Sequence, residues 1–233
     1  MEACLSTSRL KVVTLLDGLT DSELTEIEQL CHWHQLGADS IVFDKESDTL
    51  EVYFLIEGSV RVLSYSPYAR EKREVTLANF VAGEYFGELA ALDGKPRSAK
   101  VVTSEPSILA SLEGPAFREA MIRFPKLALR VTLRLADIIR RLDSRVTELS
   151  TLSEPERVFT ELLHLAKPDN KKPGQYLISE MPKHKDLASW TGTSTEIVAQ
   201  VVGELAREGI LERRHLGMVV RDYERLRLMA RAR

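Results

Sequence analysis

Residues 83–99 read GEYFGELAALDGKPRSA, a stretch of mostly small or apolar residues that carries Glu88 in its first half and Arg97 with Ser98 in its second. A surface loop closed by a Glu88–Arg97 salt bridge would explain these two charges, but it would not explain the small residues at both ends. Small residues let a ligand approach the backbone, because no bulky side chain intrudes. The stretch therefore favours a binding site.

The composition is that of a globular protein. The chain has 233 residues, 44% of them hydrophobic, which suits one large or two modest domains. Its cysteines, Cys4 and Cys31, form neither a disulfide framework nor a metal-ligand spacing, so we expect a reducing, cytoplasmic location. The N-terminus shows no signal peptide, and no run of about 18 apolar residues predicts a membrane span.

The charge distribution is uneven, although the net charge is only −3. Residues 181–233 contain ten basic and seven acidic side chains, a net charge of +3, which leaves −6 for residues 1–180. An acidic body with a basic C-terminal segment is compatible with a regulatory domain joined to a nucleic-acid-binding module.

The region from about residue 36 to 113 contains short β-rich runs separated by turn-forming residues. Strands at this spacing predict a rolled or closed antiparallel sheet. Before this region, residues 19–33 predict a short amphipathic helix capped by Thr20 or Asp21. The β-rich runs are SIVF, EVYFLI, SVRVLSY, EVTLANFV, AKVVTS and SILASL.

Residues 115–149 predict one long helix that Pro125 breaks or kinks near its start. Beyond Pro125, apolar residues recur at steps of three and four and form a stripe. We interpret the stripe as a seam that pairs with its copy in a homodimer, with packing on its own domain as the alternative. Its residues are Leu127, Val131, Leu135, Ile138, Ile139, Leu142, Val146 and Leu149.

Residues 184–210 predict two helices joined by a tight turn, with Gly192 where the turn needs a positive φ. Thr193 and Glu196 form a T-x-x-E capping box for the second helix. Residues 210–222 then predict two short strands that form a wing. The pattern predicts a DNA-binding helix-turn-helix, whereas a helical corner within a core is the alternative.

In such a motif the second helix enters the major groove and directs its N-terminal side chains at base edges. Glu196 can accept from a cytosine amino group, and Gln200 can pair with adenine. Neighbouring cations contact phosphates, which set affinity and register. The candidates at base edges are Ser194, Thr195, Glu196, Ala199 and Gln200, and those at phosphates are Lys183, Lys185, Arg213, Arg214 and His215.

The stretch 83–99 resembles the phosphate-binding cassette of cyclic-nucleotide-binding domains, because F-G-E-L-A is followed after six residues by R-S-A. The order of β-roll, cassette, long helix, hinge and winged helix-turn-helix is similar to that of the CRP/FNR family of bacterial transcription regulators. The resemblance implies an α+β fold. Its domains would be an antiparallel β-roll (1–114), a dimerisation helix and hinge (115–152) and a winged helix-turn-helix (153–233).

The resemblance also implies roles for residues of the cassette. Arg97 would bind phosphate oxygens with its fork of donors, and Glu88 would accept from the ribose 2′-OH. The effector would be cyclic AMP, with cyclic GMP as the alternative. The ligand-binding residues carried over from the family are Gly87, Glu88, Leu89, Ala90, Arg97, Ser98 and Ala99.

Recognition of the base departs from the family pattern. The cyclic-AMP members contact adenine with a Thr–Ser pair midway along the dimer helix, and residues 135–149 contain no such pair. The nearest candidates are Asp143, Ser144 and Thr147. Cyclic AMP is therefore expected from family frequency alone, and cyclic GMP or a non-responsive pocket stays open.

The recognition helix departs as well. It has Thr195, Glu196 and Gln200 where the cyclic-AMP activators present Arg, Glu and Arg, so we expect a different operator. The expected partners are double-stranded operator DNA, a second copy of the chain, and RNA polymerase if the protein is an activator. A constitutive regulator with a vestigial pocket is the alternative.

Other functions find little support in the sequence. Two scattered cysteines do not supply the cysteine cluster of the iron–sulfur members of the family, and residues 31–34 (CHWH) have a poor metal-ligand spacing. No paired carboxylates or nucleophile elbow indicate an enzyme. We expect no metal and no membrane partner.

Overall fold

The computed structural model describes residues 8–65, 75–169, 172, 174–215 and 217–230. Over these residues the chain divides into two compact units, Met1–Asp137 and Ile138–Arg233. No helix within the described ranges combines the length and hydropathy that a bilayer span requires.

The first unit contains two antiparallel sheets in its described part, with strand orders β1-β8-β3-β6 and β2-β7-β4-β5. They form the predicted antiparallel β-roll. Strands β1 to β8 span Cys31–Leu36, Ile41–Phe43, Val52–Glu57, Ser59–Ser64, Val75–Val81, Tyr85–Phe86, Lys100–Thr103 and Ser107–Leu112. Helices α1 to α4 span Asp21–Gln29, Glu88–Asp93, Gly114–Arg123 and Pro125–Thr151, after 3₁₀ turns at Arg9–Val12 and Thr14–Leu16.

The predicted start of α1 is confirmed and its predicted end is wrong. The Thr20 hydroxyl accepts from the Glu23 backbone N–H, and the Glu23 carboxylate accepts from the Thr20 N–H, which completes a capping box. Residues 31–33 belong to β1, because Cys31–Leu36 pairs along its length with β8. The cross-strand partner lies far along the chain, so the local helical pattern did not reveal it.

Two apolar clusters hold the first unit together. One packs Phe54 of the first sheet against Phe117 of α3 and Leu127 of α4. The other fills the inside of the roll with aromatic rings, among which Tyr53 and Phe86 stack at a centroid distance of 5.5 Å. The second cluster includes Phe86, which belongs to the segment 83–99.

The long helix breaks where the sequence predicts. Phe124, at φ −119° and ψ 84°, separates α3 from α4, because proline disfavours a helical conformation in the residue before it. In the first turns of α4, Leu127 and Val131 are buried in the core of the first unit. Farther along, Ile139 and Val146 are exposed. Packing on its own domain therefore describes only the first turns of α4, and pairing of the exposed part with a second copy stays a prediction.

The second unit is a winged helix-turn-helix. Helices α6 and α7 are joined at Gly192, which has the predicted positive φ of 61°, and a sheet in the order β11-β12-β10-β9 contains the predicted wing. Helices α5 to α8 span Glu154–Leu165, His184–Thr191, Thr195–Arg207 and Tyr223–Met229. Strands β9 to β12 span Lys167–Pro168, Tyr176–Ile178, Leu211–Arg214 and Gly217–Val220.

The turn between β3 and β4 depends on Gly58. This residue has a φ of 88°, and a Cβ there would lie 2.3 Å from Ser107 Oγ and 2.6 Å from the Pro106 carbonyl oxygen. We expect Gly58→Ala to lower the free energy of unfolding by about 2–4 kcal/mol, since left-handed strain and overpacking add. Thermal or urea unfolding measures the change.

Gly94→Ala is the matched control for Gly58→Ala. Gly94 has a φ of 70°, and apart from its two chain neighbours no described residue has an atom within 4 Å of the point where an alanine methyl carbon would stand. The substitution therefore isolates the backbone strain of about 1–2 kcal/mol. Equal losses of stability in the two variants would contradict the role assigned to the Ser107 and Pro106 contacts.

Candidate functional site

The segment 83–99 places a glycine at the point where β6 ends and α2 begins. Gly87 caps α2 in the left-handed conformation, with a φ of 86°. A Cβ at this position would lie 2.7 Å from Arg97 Nη1 and 2.9 Å from the Glu51 carbonyl oxygen. The glycine is therefore required both by its φ and by the close approach of the Arg97 side chain.

Arg97 is buried, with 3% of its surface exposed. Its Nε donates to Thr49 Oγ1 at 2.9 Å and its Nη1 to the Gly87 carbonyl at 2.9 Å. Its Nη2 donates to the Glu51 carbonyl at 2.8 Å. The guanidinium also lies 4.0 Å from the centroid of the Phe43 ring, and burial lowers the pKa of Arg97. This one side chain thus ties the cassette to the segment before β3.

The acid that pairs with Arg97 is Glu51. Its carboxylate lies 3.3 Å from Arg97 Nη2, so the Glu88–Arg97 salt bridge considered from the sequence is replaced by a Glu51–Arg97 pair. Sequence reasoning missed Glu51 and Thr49 because no local motif links them to a residue more than forty positions away.

Glu88 is the first residue of α2 and has 7% of its surface exposed. Among the described residues, no group donates a hydrogen bond to its carboxylate, although such bonds connect Arg97 on every side. The fully buried polar side-chain atoms that lack a partner among the described residues are Arg61 Nε and Tyr85 Oη, so the Glu88 carboxylate oxygens are within reach of solvent or of a ligand. Glu88 therefore marks a place where a donor from a ligand would be stabilising.

The other predicted ligand-binding residues are distributed between core and surface. Ala90 and Ala99 are buried, whereas Leu89 and Ser98 are exposed. The Ser98 hydroxyl is thus accessible beside the buried guanidinium. The remaining candidates, Asp143, Ser144 and Thr147, are exposed on the part of α4 that belongs to the second unit.

Arg134 of α4 lies against the cassette side of the first unit. Its guanidinium is 4.1 Å from the centroid of the Tyr85 ring and 5.0 Å from that of Phe80. Burial raises the pKa of Tyr85 to about 12, and the positive charge of Arg134 opposes this shift. No sequence pattern pointed to Arg134, because it lies outside the apolar stripe of α4 and outside the cassette.

The second unit presents the predicted DNA-contacting side chains at its surface. Lys183 and Lys185 are exposed at the start of α6, and Arg213 and Arg214 are exposed on β11. On α7, Gln200 is exposed, and its Nε2 donates to Glu204 Oε1 at 3.0 Å. Glu196 and Ala199 are exposed on the same helix, whereas Ser194 and Thr195 are half-buried.

Comparison with known proteins assigns both units. A family model for the cyclic nucleotide-binding domain matches residues 33–124, and a model for the Crp-like helix-turn-helix domain matches residues 156–229. A relative from Thermus thermophilus, named cyclic AMP receptor protein, is 31% identical over 69% of this chain and 70% of its own. The chain belongs to the CRP/FNR family of transcription regulators.

A second relative agrees with this assignment, and a solved structure of low identity shares the fold. The cAMP-activated global transcriptional regulator CRP of Haemophilus influenzae is 27% identical over 88% of this chain and 89% of its own. The structure of a CooA variant from Carboxydothermus hydrogenoformans has a TM-score of 0.74 and 16% identity, and covers 97% of this chain and 98% of that one. This CRP/FNR member is accordingly a DNA-binding transcription regulator with a cyclic nucleotide-binding domain.

The cysteine and histidines of β1 do not form a metal centre in the structure. His34 Nε2 lies 2.8 Å from Ser111 Oγ, and burial raises the pKa of Cys31 to about 12. Within the described part of the chain, no three His, Cys, Asp or Glu side chains come together in a way that could hold a metal ion. The second cysteine, Cys4, lies outside the described residues.

Arg157 of α5 connects the end of α4 to the helix-turn-helix of this regulator. It is buried, and its guanidinium donates to the carbonyls of Thr191 at 2.7 Å and Gly192 at 3.1 Å. It also donates to the carbonyl of Leu152 at 2.9 Å, directly after α4. These bonds satisfy carbonyls at two helix ends that would otherwise lack donors.

The predicted capping box of the recognition helix is wrong by one residue. The N-cap of α7 is Ser194, whose hydroxyl accepts from the Ile197 N–H. Thr193 is buried, and its hydroxyl donates to Glu154 Oε2 at 3.0 Å. The contact to Glu154 on α5 draws Thr193 away from the cap, which a local pattern cannot show.

We expect Ser194→Ala to lower the stability of the second unit by about 1 kcal/mol, because α7 loses its cap, and Ser194→Gly to cost only a few tenths of that. Glu196→Gln, which keeps the size of the side chain, should change stability by less than about 0.5 kcal/mol. Thermal unfolding measures all three. A loss for Glu196→Gln as large as that for Ser194→Ala would restore the capping-box interpretation.

Proposed function

We propose that the protein is a homodimeric transcription regulator whose affinity for DNA is controlled by a cyclic purine mononucleotide. The observation that carries the proposal is the buried carboxylate of Glu88 beside the buried Arg97 guanidinium, within a cyclic nucleotide-binding domain. The names of the relatives from Thermus thermophilus and Haemophilus influenzae support cyclic AMP as the effector. Cyclic GMP is the second candidate.

In this proposal Glu88 accepts a hydrogen bond from the ribose 2′-OH, and Arg97 neutralises the phosphate. A guanidinium has five N–H donors, and hydrogen bonds to described residues already use four of them. The remaining N–H on Nη1 binds one phosphate oxygen. The bond to the Glu51 carboxylate is the longest of the four, at 3.3 Å, and yields when the phosphate completes a bidentate contact.

The exposed part of α4 supplies the proposed dimer interface. Leu135, Ile139, Leu142, Val146 and Leu149 follow one another at steps of four, three, four and three. This is the heptad spacing of a coiled-coil seam. Ile139, Leu142 and Val146 are each more than half exposed, so a second copy of the helix would bury apolar surface that the chain alone leaves in water.

A dimer of this kind places two recognition helices on one face of DNA, about 34 Å apart. Effector binding changes DNA affinity if it favours one arrangement of α4 and the hinge after it. Arg157 is suited to pass on that arrangement, since its guanidinium bonds both Leu152 and the turn before α7. Contacts from α7 to bases, and RNA polymerase as a partner of an activator, belong to the same proposal.

The role of Glu88 is tested with a 2′-deoxy ligand. We expect Glu88→Gln to weaken binding of the cyclic nucleotide roughly 10- to 100-fold, since a hydrogen bond to a charged acceptor is replaced by one to an amide. The wild type should lose a similar factor with the 2′-deoxy analogue, and the variant should lose little more. Isothermal titration calorimetry on the full chain measures the four affinities.

The Glu88→Gln variant is preferable to Arg97→Ala, because Arg97 also holds Thr49, Glu51 and Gly87 together. Independent losses for the substitution and the 2′-deoxy ligand would contradict the contact. Equal DNA affinity of the wild type with and without nucleotide, in fluorescence anisotropy, would instead favour a constitutive regulator with a vestigial pocket.

We expect Val146→Glu to convert dimers to monomers, because Val146 is 64% exposed at the seam and the substitution places two carboxylates opposite each other. Affinity for DNA with two half-sites should fall in parallel. Sedimentation velocity and anisotropy measure the two effects. Arg140→Glu introduces a carboxylate on the same helix but off the seam, and is expected to leave the dimer intact; a dimeric Val146→Glu protein would refute the seam.

A further inference from the structure

The candidates for base recognition from the sequence, Asp143, Ser144 and Thr147, lie on the part of α4 that belongs to the second unit, whereas Arg134 belongs to the first unit. Its guanidinium lies 4.1 Å from the Tyr85 ring centroid and 5.0 Å from that of Phe80, and the side chain is half-buried. Contact with two aromatic rings restricts the orientation of a planar guanidinium. The Arg134 side chain is therefore more ordered than an arginine that is fully exposed to solvent.

The donors of Arg134 differ from those of the other arginines that face the first unit. Arg130, one turn earlier on α4, donates to the carbonyls of Leu15 and Asp17, and Arg118 of α3 donates to the carbonyl of Ala91. No carboxylate or carbonyl in the described ranges accepts a hydrogen bond from Arg134. Within those ranges, the contacts of Arg134 are with the side chains of Tyr85 and Phe80, and a ligand could supply acceptors for its further N–H donors.

A row of aromatic rings connects Arg134 to the cassette. Arg134 lies 5.0 Å from the Phe80 ring centroid, Phe80 stacks on Phe86 at a centroid distance of 6.0 Å, and Phe86 lies 6.0 Å from Phe43, the ring against which Arg97 is placed. Because Glu88 follows Phe86 by two residues, a ribose bound at Glu88 could extend its base along this row toward Arg134. The phosphate stays with Arg97, so the two arginines serve opposite ends of one nucleotide.

The chemistry of Arg134 selects between purines. Guanine presents two adjacent acceptors, O6 and N7, whereas adenine presents N7 beside an amino group that donates. A guanidinium has only donors, so it can form a bidentate contact with guanine and meets a like donor on adenine. We propose that Arg134 contacts O6 and N7 of a guanine base, and that the effector of this regulator is cyclic GMP; this rests on the proposed function.

The test uses calorimetry on the full chain with cyclic AMP, cyclic GMP and cyclic IMP. Cyclic IMP keeps O6 and N7 but lacks the 2-amino group, so it isolates the edge assigned to Arg134. We expect the wild type to bind cyclic GMP and cyclic IMP roughly 10- to 100-fold more tightly than cyclic AMP. Arg134→Ala should bring the ratio close to one, mainly by weakening the two 6-oxo nucleotides.

Arg140→Ala is the matched control, since it removes the same charge from an exposed position on the same helix and should keep the preference. Thermal unfolding of Arg134→Ala without ligand measures how much stability the protein loses with the Tyr85 and Phe80 contacts. This loss is thereby distinguished from a loss of base recognition. Because the readout is a ratio between ligands, a general loss of stability lowers all three affinities and leaves the ratio unchanged.

Two results would overturn the assignment of Arg134 to guanine but leave the proposed function intact. One is cyclic AMP bound by the wild type at least as tightly as cyclic GMP; the other is a preference for cyclic GMP that survives in Arg134→Ala. If none of the three nucleotides binds, the proposed function fails and the assignment of Arg134 fails with it. Tight binding of cyclic AMP that depends on Glu88 would keep the proposed function and reject only guanine.

Discussion

The buried Arg97 guanidinium is the interaction on which the structure of the cassette depends. It is desolvated, stacked on Phe43, and bonded to Thr49, Glu51 and Gly87. Burying an isolated cation would be prohibitive, so these acceptors are a condition for its presence. In the proposed function, the side chain that shapes the cassette is also the one that binds the phosphate, so the fold and the ligand would compete for its donors.

The proposed binding mode would give the two acids around the cassette separate roles. Glu51 balances the Arg97 charge when the chain is alone, at 3.3 Å from Nη2. Glu88 is buried nearby but takes no part in that pair, which leaves its carboxylate for a hydroxyl donor. Two acids with separate tasks allow one anion to be exchanged for another without leaving the cation uncompensated.

The features that the sequence predicted correctly are those that depend on residues close together in the chain. The antiparallel roll, the break at Pro125, the positive φ of Gly192 and the helix-turn-helix each follow from neighbouring residues. What it missed depends on partners far along the chain. Strand β1 pairs with β8, and Thr193 is drawn to Glu154.

The residues of the candidate site also fall into those that a local motif identifies and those that only the folded structure reveals. The motif identified Glu88 and Arg97, both of which the structure buries at the cassette. Glu51 and Arg134 carry no local signal, because each is defined by what it meets across the fold. Sequence patterns therefore identified the candidate site, whereas Glu51 and Arg134 were found only from tertiary contacts.

The Arg157 contacts have a consequence for how the hinge can vary among related chains. The oxygens it bonds belong to the main chain of Leu152, Thr191 and Gly192, and every amino acid supplies such an oxygen. Drift in the residues that provide the acceptors would leave these bonds in place, whereas lysine at position 157 could not reproduce the planar fork. Among related chains, we therefore expect arginine to be retained at position 157 while the residues at 152, 191 and 192 vary.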